Sequence, residues 1–281
     1  MTPEQAVALA CDTFGATPAG AKVLRAADAI TVQLDDARVV RVIPGSPSEL
    51  VDAERVLAAL PHLTGLVLAP LAPPLRRDDA VLVAYPRIHP GLAGRVDLAE
   101  VGRALAAFQR RGRTALAAGV ELPAFDPLAI ASRWLAHSSM GASEAEQLLA
   151  AITDAWPGVT GPTGIIHADA HPANWASAGA NGWLLIDPEF LSIGPEVYDL
   201  APLEVVERRL SADPSRFPSF LAGYEALAGT VDRAALAAAC RVRELLSVAW
   251  LAAQPGNAAN TARARGRLSD ARAGRDGSWL A

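Results

Sequence analysis

Residues 164–175 read GIIHADAHPANW and residues 183–189 read WLLIDPE, and the rest of the chain is best interpreted from these two pieces. Each begins as a short apolar run and ends in polar residues: Asp169 and Asn174 in the first piece, Asp187 and Glu189 in the second. A proline interrupts the first polar segment, and an Asn-Gly turn signal lies between the pieces. Two strands that bring carboxylates and an amide together are typical of a site for a metal ion and a reactive hydroxyl.

Three interpretations of this segment stay open from the residues alone. Carboxylates that follow strands often cap helices or close turns, so the polar groups could be structural. His167, Asp169 and His171 alternate and would share one face of an extended segment, as in a transition-metal site, although five His and two Cys leave few further ligands. In phosphoryl transfer, a carboxylate faces the acceptor hydroxyl while an Asn and an Asp hold Mg²⁺ on the nucleotide phosphates. The spacing of His167, Asp169 and Asn174 is that of a kinase catalytic loop.

The sequence resembles the aminoglycoside phosphotransferase and choline kinase-like family, whose small-molecule kinases carry a His-Gly-Asp-x-His-x-x-Asn loop and then a strand ending in Ile-Asp. The segment 167–174 and the pair Ile186-Asp187 match in order and separation. The resemblance implies an α+β, two-lobed protein-kinase-like fold with a small β-rich N-terminal lobe and a larger helical C-terminal lobe. It assigns residues 1–85 to a nucleotide-binding lobe, 86–91 to a hinge and 92–281 to the helical lobe.

The same resemblance implies the roles of the central residues. Asp169 is the expected catalytic carboxylate, Asn174 and Asp187 are the expected Mg²⁺ ligands, and ATP or GTP is the expected phosphoryl donor. Asp199 is expected to be a structural anchor that steadies the catalytic loop. Two departures stand out: a proline replaces the usual aromatic after Asp187, and no glycine-rich loop precedes the second predicted strand. The nucleotide phosphates are then expected to be contacted by backbone groups of another segment or by Arg25.

Arg41 lies in a predicted strand whose valines alternate with it, so its side chain points to the opposite face. The resemblance places the phosphate-binding basic residue there, usually a Lys, and Arg keeps the charge. Glu54 falls on the otherwise apolar face of a helix that a Ser-Pro-Ser-Glu capping box opens, and a carboxylate on such a face needs a partner. The resemblance proposes Arg41 as that partner; a solvent-facing Arg41 is the alternative.

The stretch Tyr85 to Gly91 contains two prolines and breaks regular structure. In the resembled family this position joins the lobes and its backbone contacts adenine, so Tyr85 and Arg87 are expected near the nucleotide. An ordinary proline-rich linker explains the same composition.

The acidic middle of the chain bears on the acceptor. Residues 86–210 carry 9 basic and 14 acidic side chains, in a chain of net charge −5. This balance disfavours nucleic acid as a partner and suits a cationic small molecule. Glu189 and Glu196 are the candidate acceptor-binding residues, with Glu204 and Glu207 as further carboxylates or solvated ones.

We therefore expect a kinase that phosphorylates a cationic antibiotic, an aminoglycoside or a basic peptide of the capreomycin and viomycin type, and so confers resistance. A metabolic kinase of choline, homoserine or an amino sugar is the alternative within the class. Outside the class stand a silent nucleotide-binding module and a metal hydrolase.

Composition indicates how many domains to expect and in which cellular compartment the protein folds. A chain of 281 residues, about half of them hydrophobic, is expected to form one large globular domain or two lobes. Two distant cysteines fit a reducing compartment. Neither a signal peptide nor an apolar run of membrane-spanning length is found, so we expect a cytoplasmic protein without a membrane partner.

Periodicity predicts the remaining elements. Helices are expected at 3–14, from 46 to about 60, and at 96–113, 130–137, 145–156 and 231–254. Strands are expected at 22–27, 29–34, 38–43 and 81–85. The basic run Arg263–Arg275 is expected to be a solvated or weakly ordered tail.

Overall fold

A computed structural model describes the chain except for residues 27–28, 78, 89–95, 180–181, 211–215, 255–257, 274–278 and 280–281. The strands are β1 (Lys22–Ala26), β2 (Ile30–Gln33), β3 (Arg38–Pro44), β4 (Leu75–Arg77), β5 (Ala80–Pro86), β6 (Thr163–Ile166), β7 (Trp175–Ser177), β8 (Trp183–Leu185) and β9 (Ser192–Pro195). The helices are α1 (Pro3–Phe14), α2 (Pro47–Ala59), α3 (Leu98–Ala117), α4 (Pro127–Leu135), α5 (Ala142–Ala155), α6 (Ala201–Leu210), α7 (Arg216–Ala228), α8 (Arg233–Ala253) and α9 (Ala258–Arg272). This is the predicted α+β arrangement, with an N-terminal sheet and a mainly helical C-terminal part.

The N-terminal sheet is antiparallel and has the strand order β1-β2-β3-β5-β4. Its two faces differ because side chains alternate along each strand. One face, with Val40 and Val42, packs with α1 in a small apolar core. The other face carries Arg41, which lies opposite Val83 in the register, and Tyr85, which lies opposite Val39. The predicted direction of Arg41 is thus confirmed.

The ends of the first two helices follow from local sequence. The Thr2 side chain accepts a hydrogen bond from the Gln5 N–H, and the Gln5 side chain accepts one from the Thr2 N–H. The helix α2 begins after Ser46, whose N–H donates to Glu49 at 2.8 Å. The α1 box is thus reciprocal, and at α2 the Glu49 side chain satisfies the Ser46 N–H; such contacts bond N–H groups that a helix terminus otherwise leaves free.

The candidate site is held by two short antiparallel strand pairs. Strand β6 pairs with β9, and β7 pairs with β8. Strand β8 also exchanges backbone hydrogen bonds with the chain after α2: the Leu68 N–H donates to the Leu185 carbonyl at 2.8 Å, and the Leu185 N–H donates to the Leu66 carbonyl at 2.9 Å. The strand that ends at Asp187 is therefore tied to the N-terminal part of the molecule.

The structure corrects the prediction that the C-terminal basic run is a solvated or weakly ordered tail. Residues 258–272 form α9, in which Ala264, Leu268 and Ala271 are buried. These three lie at helical spacing, i, i+4 and i+7, and form one stripe in the main core, while the arginines occupy other positions. The predicted hinge, 86–91, extends beyond the described residues at its end, and the lobe boundaries stay a prediction. Among the described helices, none has the length and apolarity to cross a membrane.

Candidate active site

The loop that follows β6 is held from two sides. Ala168 adopts a left-handed conformation, φ +62°, at the position where the resembled family has Gly. The backbone N–H groups of His167 and Ala168 donate to the two carboxylate oxygens of Asp199, at 2.8 and 2.7 Å. Burial raises the pKa of Asp199 to about 6. The His167 ring lies 2.8 Å from the Ile186 carbonyl, so Asp199 and the strand before Asp187 together position this loop. The expected anchoring role of Asp199 is confirmed.

Asp169 is fixed through both of its carboxylate oxygens. The Asn174 side-chain amide donates to Asp169 Oδ2 at 2.9 Å and to the Asp169 carbonyl at 2.8 Å. Arg243 Nη2 lies 2.7 Å from Asp169 Oδ1. His171 Nε2 is 3.5 Å from Oδ2, and burial lowers the His171 pKa, which favours a neutral ring. The Asp169 side chain is 19% exposed, so a small molecule can still reach it.

Asp187 lies next to Asn174 because the Ile186 N–H donates to the Asn174 carbonyl at 2.9 Å. It is a non-glycine residue with a left-handed backbone, φ +55°. Such conformations cost about 1–3 kcal/mol and concentrate at functional sites. Two arginines, Arg25 from β1 and Arg41 from β3, each place Nη1 3.5 Å from Asp187 Oδ2. The predicted pair Asn174 and Asp187 is thus brought together within a cationic surrounding.

The donor set at this position fits Mg²⁺. The Asn174 amide nitrogen donates to Asp169, and within the described part of the chain the amide oxygen accepts no hydrogen bond. Asp187 adds a carboxylate that is 24% exposed and has only long contacts to arginine. Carboxylate and amide oxygens are the ligand types that Mg²⁺ takes from proteins.

The transition-metal alternative does not gain the same support. Among the described residues, no group of three or more His, Cys, Asp or Glu is arranged to hold a metal ion. His167 is fully buried, and its ring nitrogen Nε2 is taken up by the Ile186 carbonyl. His171 accepts a hydrogen bond at Nδ1 from the Ala173 N–H. Both rings therefore serve the loop that carries Asp169.

Arg41 does not pair with Glu54, which corrects the predicted ion pair. The Arg41 Nε donates to Glu189 Oε1 at 2.6 Å, and its Nη2 also contacts that carboxylate. Its Nη1 donates to Thr31 Oγ1 at 2.6 Å. Arg41 therefore lies on the sheet face opposite α1 and is bonded to the segment after Asp187.

Glu54 is bonded elsewhere and is more exposed than predicted. Its carboxylate lies 3.3 Å from Arg76 Nη1 on β4, with 39% of the side chain exposed. The buried arc of α2 includes Leu50, Val56 and Leu57, and Glu54 lies at its edge. Glu54 thus faces solvent although it lies at helical spacing from the buried Leu50 and Leu57.

The predicted acceptor carboxylates are also paired within the protein. Glu189 is bonded to Arg41, as described above. Glu196 is 4% exposed and contacts Arg113 of α3 at 2.6 and 2.5 Å. It packs so tightly on β6 that a Cβ atom at Gly164 would lie 2.3 Å from Glu196 Oε1. Both carboxylates are thus bonded to arginines, and their contact with an acceptor stays a prediction.

Tyr85 and Arg87 differ in what they face. Tyr85 is buried on the Arg41 face, and burial together with the Glu189 charge raises the pKa of its phenol. The Arg87 Nη1 is 3.5 Å from Asp36, and its N–H donates to the Ala37 carbonyl at 2.8 Å, both in the turn between β2 and β3. Tyr85 thus lies beside the site, whereas Arg87 supports the hairpin; their contact with a nucleotide stays a prediction.

Sequence reasoning missed Arg243, which contacts Asp169 from α8. Nothing in its spacing links it to the loop 74 residues earlier in the chain. One signal was present: Arg243 lies among Val242, Leu245 and Leu246, all buried, on a helix that reads as apolar. A charged residue on such a face needs a partner of opposite charge.

Comparisons with known proteins agree with this geometry. The sequence model of the phosphotransferase enzyme family matches residues 22–239. Among curated proteins, no sequence matches this chain significantly.

Several solved structures share the fold at low identity. Amicoumacin kinase hAmiN, in complex with AMP-PNP, Ca²⁺ and Ami, has a TM-score of 0.72 at 11% identity, over 96% of this chain and 93% of that chain. The GDP complex of aminoglycoside 2'-phosphotransferase-IIIa has a TM-score of 0.64 at 15% identity, over 98% and 99%. Choline kinase LicA from Streptococcus pneumoniae has a TM-score of 0.66 at 15% identity, over 95% and 99%. With the kinase-like fold and the family match over most of its length, the chain belongs to the phosphotransferase enzyme family and is a small-molecule phosphotransferase.

Proposed function

We propose that this protein transfers the γ-phosphoryl group of ATP or GTP to a hydroxyl of a small molecule. One observation carries the proposal: Asp169, Asn174 and Asp187 are gathered in one place by the loop after β6 and the β7–β8 pair, with Asn174 bonded to Asp169 at 2.9 Å. Asp169 positions the acceptor hydroxyl and takes its proton. The hydroxyl oxygen forms a bond to the γ-phosphorus, the bond from that phosphorus to the β-phosphate oxygen breaks, and the nucleoside diphosphate leaves.

The charges around Asp187 support the nucleotide side of this proposal. Asn174 and Asp187 would hold Mg²⁺, which neutralises phosphate charge when bound. Arg41 is held in place by Glu189 and Thr31, so its cation is preorganised beside Asp187. Arg25 reaches the same carboxylate from β1, next to where the family's glycine-rich loop is expected. Catalysis then rests on positioning and on fixed charge.

The finer part of the proposal concerns the acceptor. Neighbours in structure include kinases of an aminoglycoside, choline and aminopropanol, all of which bear a cationic nitrogen at neutral pH. We therefore keep a cationic antibiotic as the first candidate acceptor, with resistance as the outcome and cytoplasmic action as the setting. A metabolic kinase of choline, homoserine or an amino sugar is the second.

The pairing of carboxylates limits how a cation could be attracted. Glu204 contacts Arg208 at 2.9 Å, and Glu207 contacts Arg216 at 3.4 Å, so these two acids are paired as Glu189 and Glu196 are. Asp169 is likewise paired, with Arg243, so the preference for a cation then depends mainly on the net charge of the chain, −5. We expect it to be modest and to weaken as salt rises.

The test is an acceptor screen. The purified protein is incubated with MgATP or MgGTP and a panel of aminoglycosides, capreomycin-type peptides, choline, aminopropanol, homoserine and hexosamines, and mass spectrometry detects a gained phosphoryl group. Asp169→Asn is the matched control: it should bind MgATP normally but lose transfer by about 10²–10⁴-fold, the usual contribution of a positioned acid or base.

The outcomes separate the candidates. Phosphorylation of an antibiotic, together with drug tolerance in cells that express the wild type but not the Asp169→Asn variant, supports the resistance role. Phosphorylation of an amino alcohol or sugar alone transfers support to the metabolic role. Failure of the wild type to bind any nucleotide in calorimetry would overturn the kinase proposal itself.

A further inference from the structure

Arg243 lies in the middle of α8, and its guanidinium forms part of the wall around Asp169. Its side chain is 18% exposed, and its Nη2 is 2.7 Å from Asp169 Oδ1. Within the described residues, Asp169 is the carboxylate with which Arg243 pairs. Burying a cation is costly unless it is paired, so this contact is needed to hold the guanidinium where it lies.

The two oxygens of Asp169 face different parts of the site. Oδ2 is bonded to Asn174, which is linked through the Ile186 N–H to the strand that ends at Asp187. Oδ2 is therefore on the nucleotide side. Oδ1 is instead contacted by Arg243 of α8.

We propose that Arg243 is a positioning residue for phosphoryl transfer: it holds Oδ1 of Asp169 while Asn174 holds Oδ2. This inference rests on the proposed function. The terminal torsion of an Asp side chain is broad, so one hydrogen bond leaves the carboxylate plane free to turn. A second contact on the other oxygen fixes that plane, and each oxygen keeps a lone pair, one of which can accept the hydroxyl proton.

A purely structural role for Arg243 makes a different prediction. If the pair only stabilised the packing of α8 on the loop, its loss would lower the melting temperature and leave turnover of the folded enzyme unchanged. If Arg243 fixes the orientation of the Asp169 carboxylate, its loss lowers turnover. Nucleotide binding persists, because Asn174, Asp187 and Arg41 are unchanged.

The experiment compares Arg243→Met and Arg243→Lys with Arg241→Met. Arg241 is a matched control: it lies two residues earlier on α8, is half-buried, and lines a separate cavity with Arg233, Leu236 and Glu244. The probe is MgATP with water as the acceptor, followed by whichever panel compound the wild type phosphorylates. Steady-state kinetics give kcat and KM, and calorimetry gives MgATP affinity.

We expect Arg243→Met to lower kcat by about 100-fold, the scale associated with misplacing a reacting group by about 1 Å. The KM for MgATP should stay near the wild-type value, and Arg241→Met should match the wild type in both. Arg243→Lys should recover part of kcat, because an ammonium can hold one oxygen but lacks the planar fork of guanidinium. Added guanidine should raise the activity of Arg243→Ala, since it can refill the same position.

Two results would overturn the inference. The first is a folded Arg243→Met enzyme with wild-type kcat; if that variant does not fold, Arg243→Lys with no defect and Arg243→Ala with no response to guanidine overturn it equally. The second is a wild-type protein that neither binds MgATP nor releases phosphate from it, which removes the proposed function and this inference together. If the wild type is active and the Arg243 variants have the same activity, only this inference is wrong and the proposed function stands.

Discussion

The guanidinium of Arg41 contacts Glu189, Thr31 and Asp187 at the same time. Its side chain is 10% exposed and that of Glu189 is 17% exposed, so water screens the pair only weakly. Two carboxylates close to one arginine leave an excess of negative charge, to which Arg25 adds a partly exposed cation. Arg41 is therefore fixed by its partners beside Asp187.

A double-mutant cycle on Arg41 and Glu189 tests this pairing. Removing Arg41 leaves Glu189 buried without its cation, and removing Glu189 leaves Arg41 only the longer contact to Asp187; breaking a buried pair in this way costs up to about 3–5 kcal/mol. We expect Arg41→Met and Glu189→Gln each to lower the free energy of unfolding by an amount near this range. The double variant should cost clearly less than the sum. Urea unfolding followed by circular dichroism measures all four proteins.

Glu54→Gln combined with Arg41→Met is the control cycle. Because Glu54 contacts Arg76, the two changes share no partner and should add to within about 0.5 kcal/mol. Coupling between Arg41 and Glu54, with additivity between Arg41 and Glu189, would contradict the observed arrangement.

Sequence could predict the direction of Arg41 but not its partner. Strand alternation decides which face a side chain takes, and the register of β3 with β5 bears this out. The partner, Glu189, is 148 residues away in sequence, so only the tertiary arrangement brings the two together. The positions of Asp169, Asn174 and Asp187 were predictable because a short loop and a hairpin fix their separation locally.

The packing of α3 against α7 depends on two glycines. A Cβ atom at Gly102 would lie 2.0 Å from the Phe220 carbonyl oxygen, and one at Gly223 would lie 2.0 Å from the Ala99 carbonyl oxygen. Both clashes are with backbone, which cannot move aside as a flexible side chain can. The two helices thus approach each other at the closest distance that their backbones allow.

Gly102→Ala should therefore destabilise the protein by about 3 kcal/mol or more, the upper part of the usual cost of overpacking. The matched control is Gly266→Ala on α9, where a Cβ atom meets nothing within 4 Å. That change should stabilise by up to about 1 kcal/mol, since Ala is the better helix former. Thermal or urea unfolding gives both values. Equal effects at the two sites would mean that α3 and α7 do not pack this closely.

The elements that sequence predicted well have strong local signals. The helix α1, the capping box that opens α2 and the strands β2 and β3 were predicted close to their observed bounds. The helix α9 was not, because its arginines conceal a stripe formed by Ala264, Leu268 and Ala271. Two alanines and one leucine carry little hydrophobicity of their own, and their burial depends on the packing surface that the rest of the core provides.

The two parts of the molecule meet through both backbone and charge. The chain after α2 bonds to β8 at Leu185, while Arg25 and Arg41 of the sheet contact Asp187 and Glu189 beyond β8. Asp187 thus lies at the junction between the sheet and the helical part. A nucleotide and a divalent cation bound at Asp187 would engage both parts of the molecule at once.

This position predicts how ligands change the stability of the whole protein. A ligand that binds only the folded state stabilises it by about 2.7 kcal/mol at 100 times its Kd. We expect MgATP to raise the melting temperature by several degrees, and ATP with EDTA to raise it much less.

Asp187→Ala should abolish the difference between MgATP and ATP with EDTA, because one of the two expected Mg²⁺ ligands is gone. Asp52→Ala is the control, since this acid is half-buried on α2, pairs with Arg55 and lies outside the site. Differential scanning fluorimetry and calorimetry on the three proteins measure the shifts and the affinities. If Asp187→Ala keeps the wild-type response to MgATP while Asp52→Ala also behaves normally, Asp187 does not hold the cation. The coupling of metal, nucleotide and the two parts of the molecule would then have to run through another residue.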